Sequence, residues 1–384
     1  MQRIKKLYEW QSESKLKQRM LEILLGMELI EIDGSMGEGG GQILRNAVSL
    51  SAVLMKPIRV YNIRAKRSNP GLRPQHLTGV KAVAALSSAE VSGLYVGSKE
   101  IIFRPRAIKG GRMSFDAGTA GSTTLILQSL MPVMAFSREP VEVELRGGTN
   151  NPMAPPVEYF QYVLIPILER MGCSFEVELL RRGFYPRGGG VVRARSKPVE
   201  RLKPIRLMES GGVRRIRGLS YSCRLPAHIV ERMASTAERI LRGAGYRDVH
   251  VERQVLQPGD SACSLDPGCG IILVAELESG AIMASDNLGK IGVPAERVAE
   301  EAAQSLIKQL ETGAPVDKHL GDQLVIWAAL AFGVSEYRVA ELTMHTTTSI
   351  DLCKIMAGIS AEIDGRLGEP ATIRITGIGY VRPG

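Results

Sequence analysis

Asp33-Gly-Ser-Met-Gly-Glu-Gly-Gly-Gly-Gln-Ile-Leu-Arg45 is the stretch on which the reading of this chain turns. A short apolar run, 29–32, precedes it with strand character. Behind it Ile43, Leu44, Ala47, Val48, Leu50 and Leu54 recur at helical spacing, so the glycines sit in a strand-to-helix turn. Such a turn offers open backbone N–H groups and a helix N-terminus to an anion. Glu38 is out of place beside an anion unless a divalent cation lies between them, and Arg45 follows along the same helix. Glycines, an acid and an arginine together point to metal-bridged polyphosphate. They equally suit a tight turn with a solvated glutamate, and neither the Walker pattern nor the dinucleotide pattern is present.

The same turn comes a second time. Gly118-Thr-Ala-Gly-Ser-Thr-Thr124 opens another apolar helix, and the surrounding elements repeat with a period of about eighty residues. The first unit is expected as strand 29–32, helix 40–54, strand 58–63, helix 74–86 and strands 91–96 and 100–104. The second runs as strand 112–115, helix 118–135, strand 141–145, helix 156–171 and strands 175–180 and 190–195. A third is split, its later part reading as helix 321–330, strand 337–343, helix 349–359 and strand 371–375. Between lie strand 215–223, helix 227–241, strands 248–253, 270–277 and 281–285, and helix 294–310. The fold class expected is therefore α/β (α+β): three pseudo-repeated βαβαββ units in a large domain, 28–208 and 315–384, with a smaller α/β domain inserted at 209–314.

The chain has 384 residues and a formal charge of +9, enough length for two or three domains. Its 49 cations divide into 34 arginines and 15 lysines. Arginine suits bidentate phosphate contacts, although a surface tuned for high temperature would look similar. Residues 1–27 form a basic leader whose apolar part is too short for a signal core or a membrane span, so a cytoplasmic protein without a membrane partner is expected. Met27 offers a second start directly before the first strand. The five cysteines show no CxxC pair; free buried thiols are expected, with a Cys263–Cys269 bridge left open for a thermophilic source.

Four stretches carry further chemistry. Asn62-Ile-Arg-Ala-Lys-Arg-Ser-Asn-Pro-Gly-Leu-Arg-Pro-Gln-His76 is a basic loop at a strand end, expected opposite the side where Glu38 sits, and it gives a groove for a phosphorylated polymer end. Gln128 stands in an otherwise apolar helix and needs a partner, an adenine edge or a structural amide network. His345, in Met344-His-Thr-Thr-Thr-Ser349, follows a predicted strand and precedes a helix among hydroxyls suited to fixing its tautomer. His319-Leu-Gly-Asp-Gln323 opens a helix for which Asp322 reads as the cap.

With Arg182-Gly-Phe-Tyr-Pro-Arg-Gly-Gly-Gly-Val-Val192 the set becomes specific. It resembles the signature of the RNA 3′-terminal phosphate cyclase family, and GEGGGQILR, RAKRSNPGLRPQHL, GTAGSTTLILQ, GGTNNPMAPP and HLGDQL resemble that family's motifs in the same order. The resemblance covers residue 28 to the C-terminus and implies a fold of repeated βαβαββ units with an insert. His345 stands where the family's catalytic branch has its nucleophile. The resemblance further implies an ATP site at Gln128, His319, Leu320, Gly321, Asp322 and Gln323. It implies a Mg²⁺ or Mn²⁺ site at Glu38, an active cleft holding Arg45, and contacts to the RNA 3′-phosphate from Arg64, Arg67, Gln75 and His76. The residues around the histidine differ from those of many relatives, which leaves its tautomer partner undetermined. Two rivals remain at this stage: a cyclase-like ribosome-biogenesis factor without catalysis, and an enolpyruvyl-type transferase built from similar units. Assembly into a homo-oligomer is left open.

Overall fold

The computed structural model describes residues 29–383; the basic leader lies outside them. Four sheets of four strands organise the chain. The first comprises β1 (Ile30–Asp33), β2 (Ile58–Tyr61), β3 (Glu90–Ser92) and β4 (Ile101–Arg104), ordered β1-β2-β4-β3. β1 and β2 are parallel, joined by the crossover helix α1 (Gly41–Leu54); the other pairs are antiparallel. The second sheet repeats the order as β5 (Gly111–Asp116), β6 (Val141–Gly147), β8 (Gly190–Lys197) and β7 (Ser174–Arg181).

The third sheet explains how a unit can be split. Its first strand is the two-residue β9 (Arg206–Leu207), which pairs in parallel with β14 (Phe332–Val339) across the whole inserted stretch. β15 (Ser360–Asp364) and β16 (Ala371–Ile378) complete the order β9-β14-β16-β15, the same first-second-fourth-third arrangement. Sequence periodicity misses β9 because two residues carry no period. The intervening sheet is ordered differently, β11-β10-β12-β13, from β10 (Val213–Cys223), β11 (Val249–Leu256), β12 (Gly268–Leu277) and β13 (Ile282–Leu288).

In each repeated unit a long buried helix, opened by a glycine turn in the first two units and by the Asp317 cap in the third, is followed by a second helix. The first kind are α1, α3 (Thr123–Ala135) and α7 (Lys318–Leu330). The second kind are α2 (Pro74–Ser87), α4 (Val157–Tyr159, a π turn at Phe160–Leu164, then Ile165–Arg170) and α8 (Met344–Ala357). α3 buries 11 of its 13 residues, so it is apolar all round and forms the centre rather than a surface layer. α5 (Ala227–Gly243) and α6 (Ala295–Glu311), beside the fourth sheet, keep a polar outer face.

Several expected boundaries move. The strand expected at 91–96 stops at Ser92, where a glycine bend begins. The strand expected at 337–343 is β14, ending at Val339. α8 starts at Met344 rather than 349, because the Thr343 hydroxyl accepts the Thr346 N–H and caps a run of threonines that intrinsic preference would keep extended. The Cys263–Cys269 bridge does not form; all five thiols are free.

Candidate active site

Helix starts from two units meet at this site. Gly37 and Gly39 adopt positive φ (54° and 61°), and the turn delivers α1 with Gly40 at its N-cap and no side chain covering the exposed N–H groups. A Cβ on Gly37 would fall 1.9 Å from Thr348 Oγ1, so this turn is pressed against α8. His345 is consequently in the first turn of α8, facing α1.

The tautomer of His345 is set by Gln42, and not by the neighbouring hydroxyls. The Gln42 amide Nε2 donates to Ser349 Oγ (3.0 Å), Asp322 Oδ2 (3.2 Å) and the His345 carbonyl (3.3 Å). That orientation turns Gln42 Oε1 toward His345 Nδ1, 2.6 Å away. An amide oxygen only accepts, so Nδ1 carries the proton and Nε2 presents its lone pair. The hydroxyl of Thr343 caps the helix instead, and that of Thr347 donates to the Met344 carbonyl. Burial pushes the His345 pKa below its ordinary value; Glu38 pulls it back while Arg45 and Arg67 lower it further. The imidazole is thus neutral at neutral pH.

Glu38 Oε2 lies 3.3 Å from His345 Nε2 and 3.4 Å from Arg67 Nη2. A carboxylate facing a nitrogen lone pair is an arrangement that a cation between them would relieve, which fits a divalent ion. No cluster of three His, Cys, Asp or Glu is gathered for a metal among the described residues, so such an ion would draw most of its ligands from elsewhere. The basic loop faces Glu38 across the glycine turn. Its Lys66 Nζ donates to the Gly37 carbonyl (2.8 Å), and Arg67 reaches the acid itself.

Behind the turn lies a patch of unusual charge. Burial draws the Arg45 guanidinium down to about 10 against the pull of Asp322, and its Nε is buried without a partner. Burial raises Asp322 to about 7, with Arg45 opposing and Asp317 reinforcing. Burial also takes His76 down to about 3, helped by Arg45, Arg64 and Arg73. His76 Nδ1 accepts the Arg73 N–H (3.3 Å), so its Nε2 carries the proton. A buried guanidinium with an unpaired Nε and a neutral imidazole N–H together make a place for an anion.

The remaining expected residues divide. Gln128, Asp322 and Gln323 line one recess with Gln42, Asn46 and Trp327, and Gln323 Oε1 there is a buried acceptor without a partner. The free volume is only about 10 Å³, room for one water, so a larger guest requires the side chains to part. His319 is exposed in the first turn of α7. Leu320 is fully buried, and Gly321 is packed so that a Cβ would sit 2.7 Å from Val339 Cγ1; neither offers a side chain to a ligand. Asp322 is not the cap. That role belongs to buried Asp317, whose Oδ1 accepts from the His319 and Leu320 N–H groups (both 2.9 Å) and from the Tyr159 hydroxyl (2.8 Å). Arg64, at φ 54°, donates through Nη1 to the Asn69 and Gly71 carbonyls, bracing its own loop. Gln75 Oε1 accepts the Ser122 N–H (3.1 Å), joining α2 to the second glycine turn. Gln42, Asn46, Ser349 and Asp317 are the participants that sequence reasoning passed over.

The family model for RNA 3′-terminal phosphate cyclase matches residues 36–363, which include Glu38 and His345. The chain belongs to the RNA 3′-terminal phosphate cyclase family. A relative of that name from Desulfurococcus amylolyticus is 47% identical over 356 residues, 92% of this chain and 99% of the relative. Those from Ignicoccus hospitalis and Methanopyrus kandleri are each 46% identical, covering 92% and 91% of this chain and 100% and 99% of theirs. Among solved structures, the enolpyruvyl transferase NikO from Streptomyces tendae aligns at 10% identity with a TM-score of 0.36, over 89% of this chain and 47% of that one. That likeness is too slight to bear on the reaction. Within this cyclase-family chain, no helix among the described residues is long and apolar enough to cross a membrane.

Proposed function

We propose that this chain is an RNA 3′-terminal phosphate cyclase that works through a covalent histidine–AMP. The observation that carries the reading is the His345 ring, proton locked on Nδ1 by Gln42 and Nε2 lone pair free beside Glu38. Nε2 attacks the α-phosphorus of ATP. An N–P bond forms, the bond to the β-phosphate oxygen breaks, and diphosphate leaves toward Arg45 and Arg67. A Mg²⁺ or Mn²⁺ ion held by Glu38 would supply charge neutralisation at these phosphates. In this reading the adenine amine donates to Gln323 Oε1, a buried acceptor without a partner, with Gln128 and Asp322 beside it and His319 at the rim.

An oxygen of the RNA 3′-phosphate then takes the AMP from His345, forming a phosphoanhydride and returning the neutral ring. Arg67, His76 and the basic loop hold that phosphate, with Arg64 and Gln75 acting through the loop and helix they brace. Finally the 2′-hydroxyl attacks the 3′-phosphorus, AMP departs, and the hydroxyl proton goes to solvent. This closure is intramolecular, with effective molarities of about 10⁵ M or more available to it. In this reading 28–208 and 315–384 form the catalytic domain, 209–314 is an inserted domain, and the partners are ATP and RNA in the cytoplasm.

The test is incubation with α-labelled ATP and a divalent ion. Label should appear on His345, labile to acid and stable to alkali, and be absent from His345→Ala. A protein that takes no label, or a His345→Ala variant that keeps it, overturns the proposal.

A further inference from the structure

The hairpin between β3 and β4 has no part in the chemistry above, yet it borders an open cleft of about 560 Å³, wide enough for a nucleoside to lie against. On its wall Tyr95 is 64% exposed, an aromatic face offered to solvent on a firmly built loop. The Tyr95 N–H donates to the Gly93 carbonyl (3.1 Å), and the Tyr95 carbonyl accepts the Ser98 N–H (3.1 Å). Lys99 stands exposed at the rim, and the Glu100 carboxylate faces Arg59 (2.9 and 2.8 Å), a cation it shares with Glu31 (3.0 Å), so Lys99 is the charge left to meet a phosphate.

The hairpin is also fused to the basic loop. Leu72 N–H donates to the Ser98 carbonyl and Gly97 N–H to the Leu72 carbonyl (both 2.8 Å), while Ile63 N–H donates to the Lys99 carbonyl (2.9 Å). A Cβ on Gly71 would lie 2.3 Å from the Gly97 oxygen, so the two loops interlock. From Arg67, which touches Glu38, to Gly71, which touches the hairpin, is four residues and at most about 14 Å. That upper bound, about four nucleotides at a stacking rise of 3.4 Å each, keeps the hairpin within reach of a short strand whose end lies at Arg67.

We propose that the cleft walled by Tyr95 and rimmed by Lys99 is a second RNA subsite, taking a base of the single strand upstream of the 3′-phosphate by stacking on the tyrosine. The assignment rests on the cyclase reading for the position of the RNA end. Single-stranded bases stack on aromatic faces largely without regard to sequence, while a cation holds the backbone. The subsite therefore contributes affinity for length and not for sequence.

The test measures binding of 3′-phosphorylated oligoribonucleotides of two, four and six residues by fluorescence anisotropy, without ATP. The wild-type protein should bind the hexamer more tightly than the dimer. Tyr95→Ala should reduce that ratio by ~5-fold or more, and Tyr95→Phe should keep it. Because the ratio is internal to each variant, a general loss of folded protein does not imitate the effect. A wild-type affinity independent of length, or a ratio unchanged in Tyr95→Ala, overturns the subsite and leaves the cyclase reading standing. No binding of any 3′-phosphorylated RNA by the wild type overturns both.

Discussion

At the scale of single residues, the proposed chemistry depends on which imidazole nitrogen holds the proton. Gln42 decides it for His345 through a 2.6 Å contact, and Gln42 is itself oriented by Asp322 and Ser349. Gln42→Leu should leave both tautomers populated and slow self-adenylylation by at least ~10-fold. Gln42→Glu separates orientation from charge. A carboxylate still accepts from Nδ1–H, but it stabilises the imidazolium and raises the His345 pKa. In the proposed mechanism the rate of adenylylation should rise with pH as the ring becomes neutral, and in this variant its acid limb should be displaced to higher pH. An unmoved limb would mean that Gln42 does not face the ring. This residue shows why the site was only partly legible. Glu38 and His345 are chemically conspicuous wherever they fall, whereas a glutamine inside a glycine motif acquires its role from a partner 303 positions away. The hydroxyls near His345 in sequence attracted the tautomer assignment by proximity, but the one that matters, Ser349, acts at one remove by accepting from Gln42, while Thr343 and Thr347 bond the backbone of the helix start.

At the scale of elements, the site is a junction between the glycine turn and the first turn of α8. Gly37 is required twice over, by its positive φ and by Thr348 Oγ1 against the place of a Cβ. Gly37→Ala should lower stability by about 1–3 kcal/mol and impair adenylylation as the turn is pushed off α8. Adding Thr348→Ala should recover part of the stability by removing the clash but not the backbone strain, which a double-mutant cycle of melting curves would read as coupling. The start of α2 makes a prediction in pH. Folded His76 resists protonation down to about 3, against 6.5 ordinarily. Between those values the unfolded chain binds the extra proton, so this residue's contribution is lost as pH falls through that window. Asp286 and Asp322, both raised from 3.8 to about 7, act in the opposite sense there, since the folded chain protonates first. The net slope mixes these effects; the difference between wild type and His76→Gln does not. In urea titrations the wild type's advantage over the variant should shrink from pH 7 to pH 4.5, and a constant difference would count against a buried neutral ring.

At the scale of the molecule, the repeat was legible because long apolar helices after glycine turns carry a strong period. The first strand of the third unit was not, since β9 consists of two residues and finds its partner only after the inserted sheet. How that sheet is fastened was equally hidden, although its anchor is in a conspicuous segment. Arg182, from the arginine- and glycine-rich stretch after β7, is 2% exposed and pairs with Glu158 of α4 at 2.6 Å. Its Nε and Nη2 also donate to Gln254 Oε1 of β11 (3.1 and 2.9 Å), and its guanidinium stacks 3.8 Å over the ring of Tyr221 in β10. One side chain thereby joins the second unit to the inserted sheet. Asn150 adds a bond to the Tyr221 hydroxyl at 2.8 Å. Removing one partner of a buried pair strands the other charge, so Arg182→Ala should destabilise the protein by about 3–5 kcal/mol, whereas Arg182→Met with Glu158→Leu should lose far less. The stranded Glu158 would lie near Asp286, which burial followed by the charges of Glu158 and Asp317 already holds near 7. A carboxylate without its cation is buried more easily when protonated, so the Arg182→Ala deficit should be larger at pH 8 than at pH 5, measured as the shift in unfolding midpoint. A deficit independent of pH would show that the loss is one of packing over Tyr221, and that Glu158 finds water once the arginine is gone.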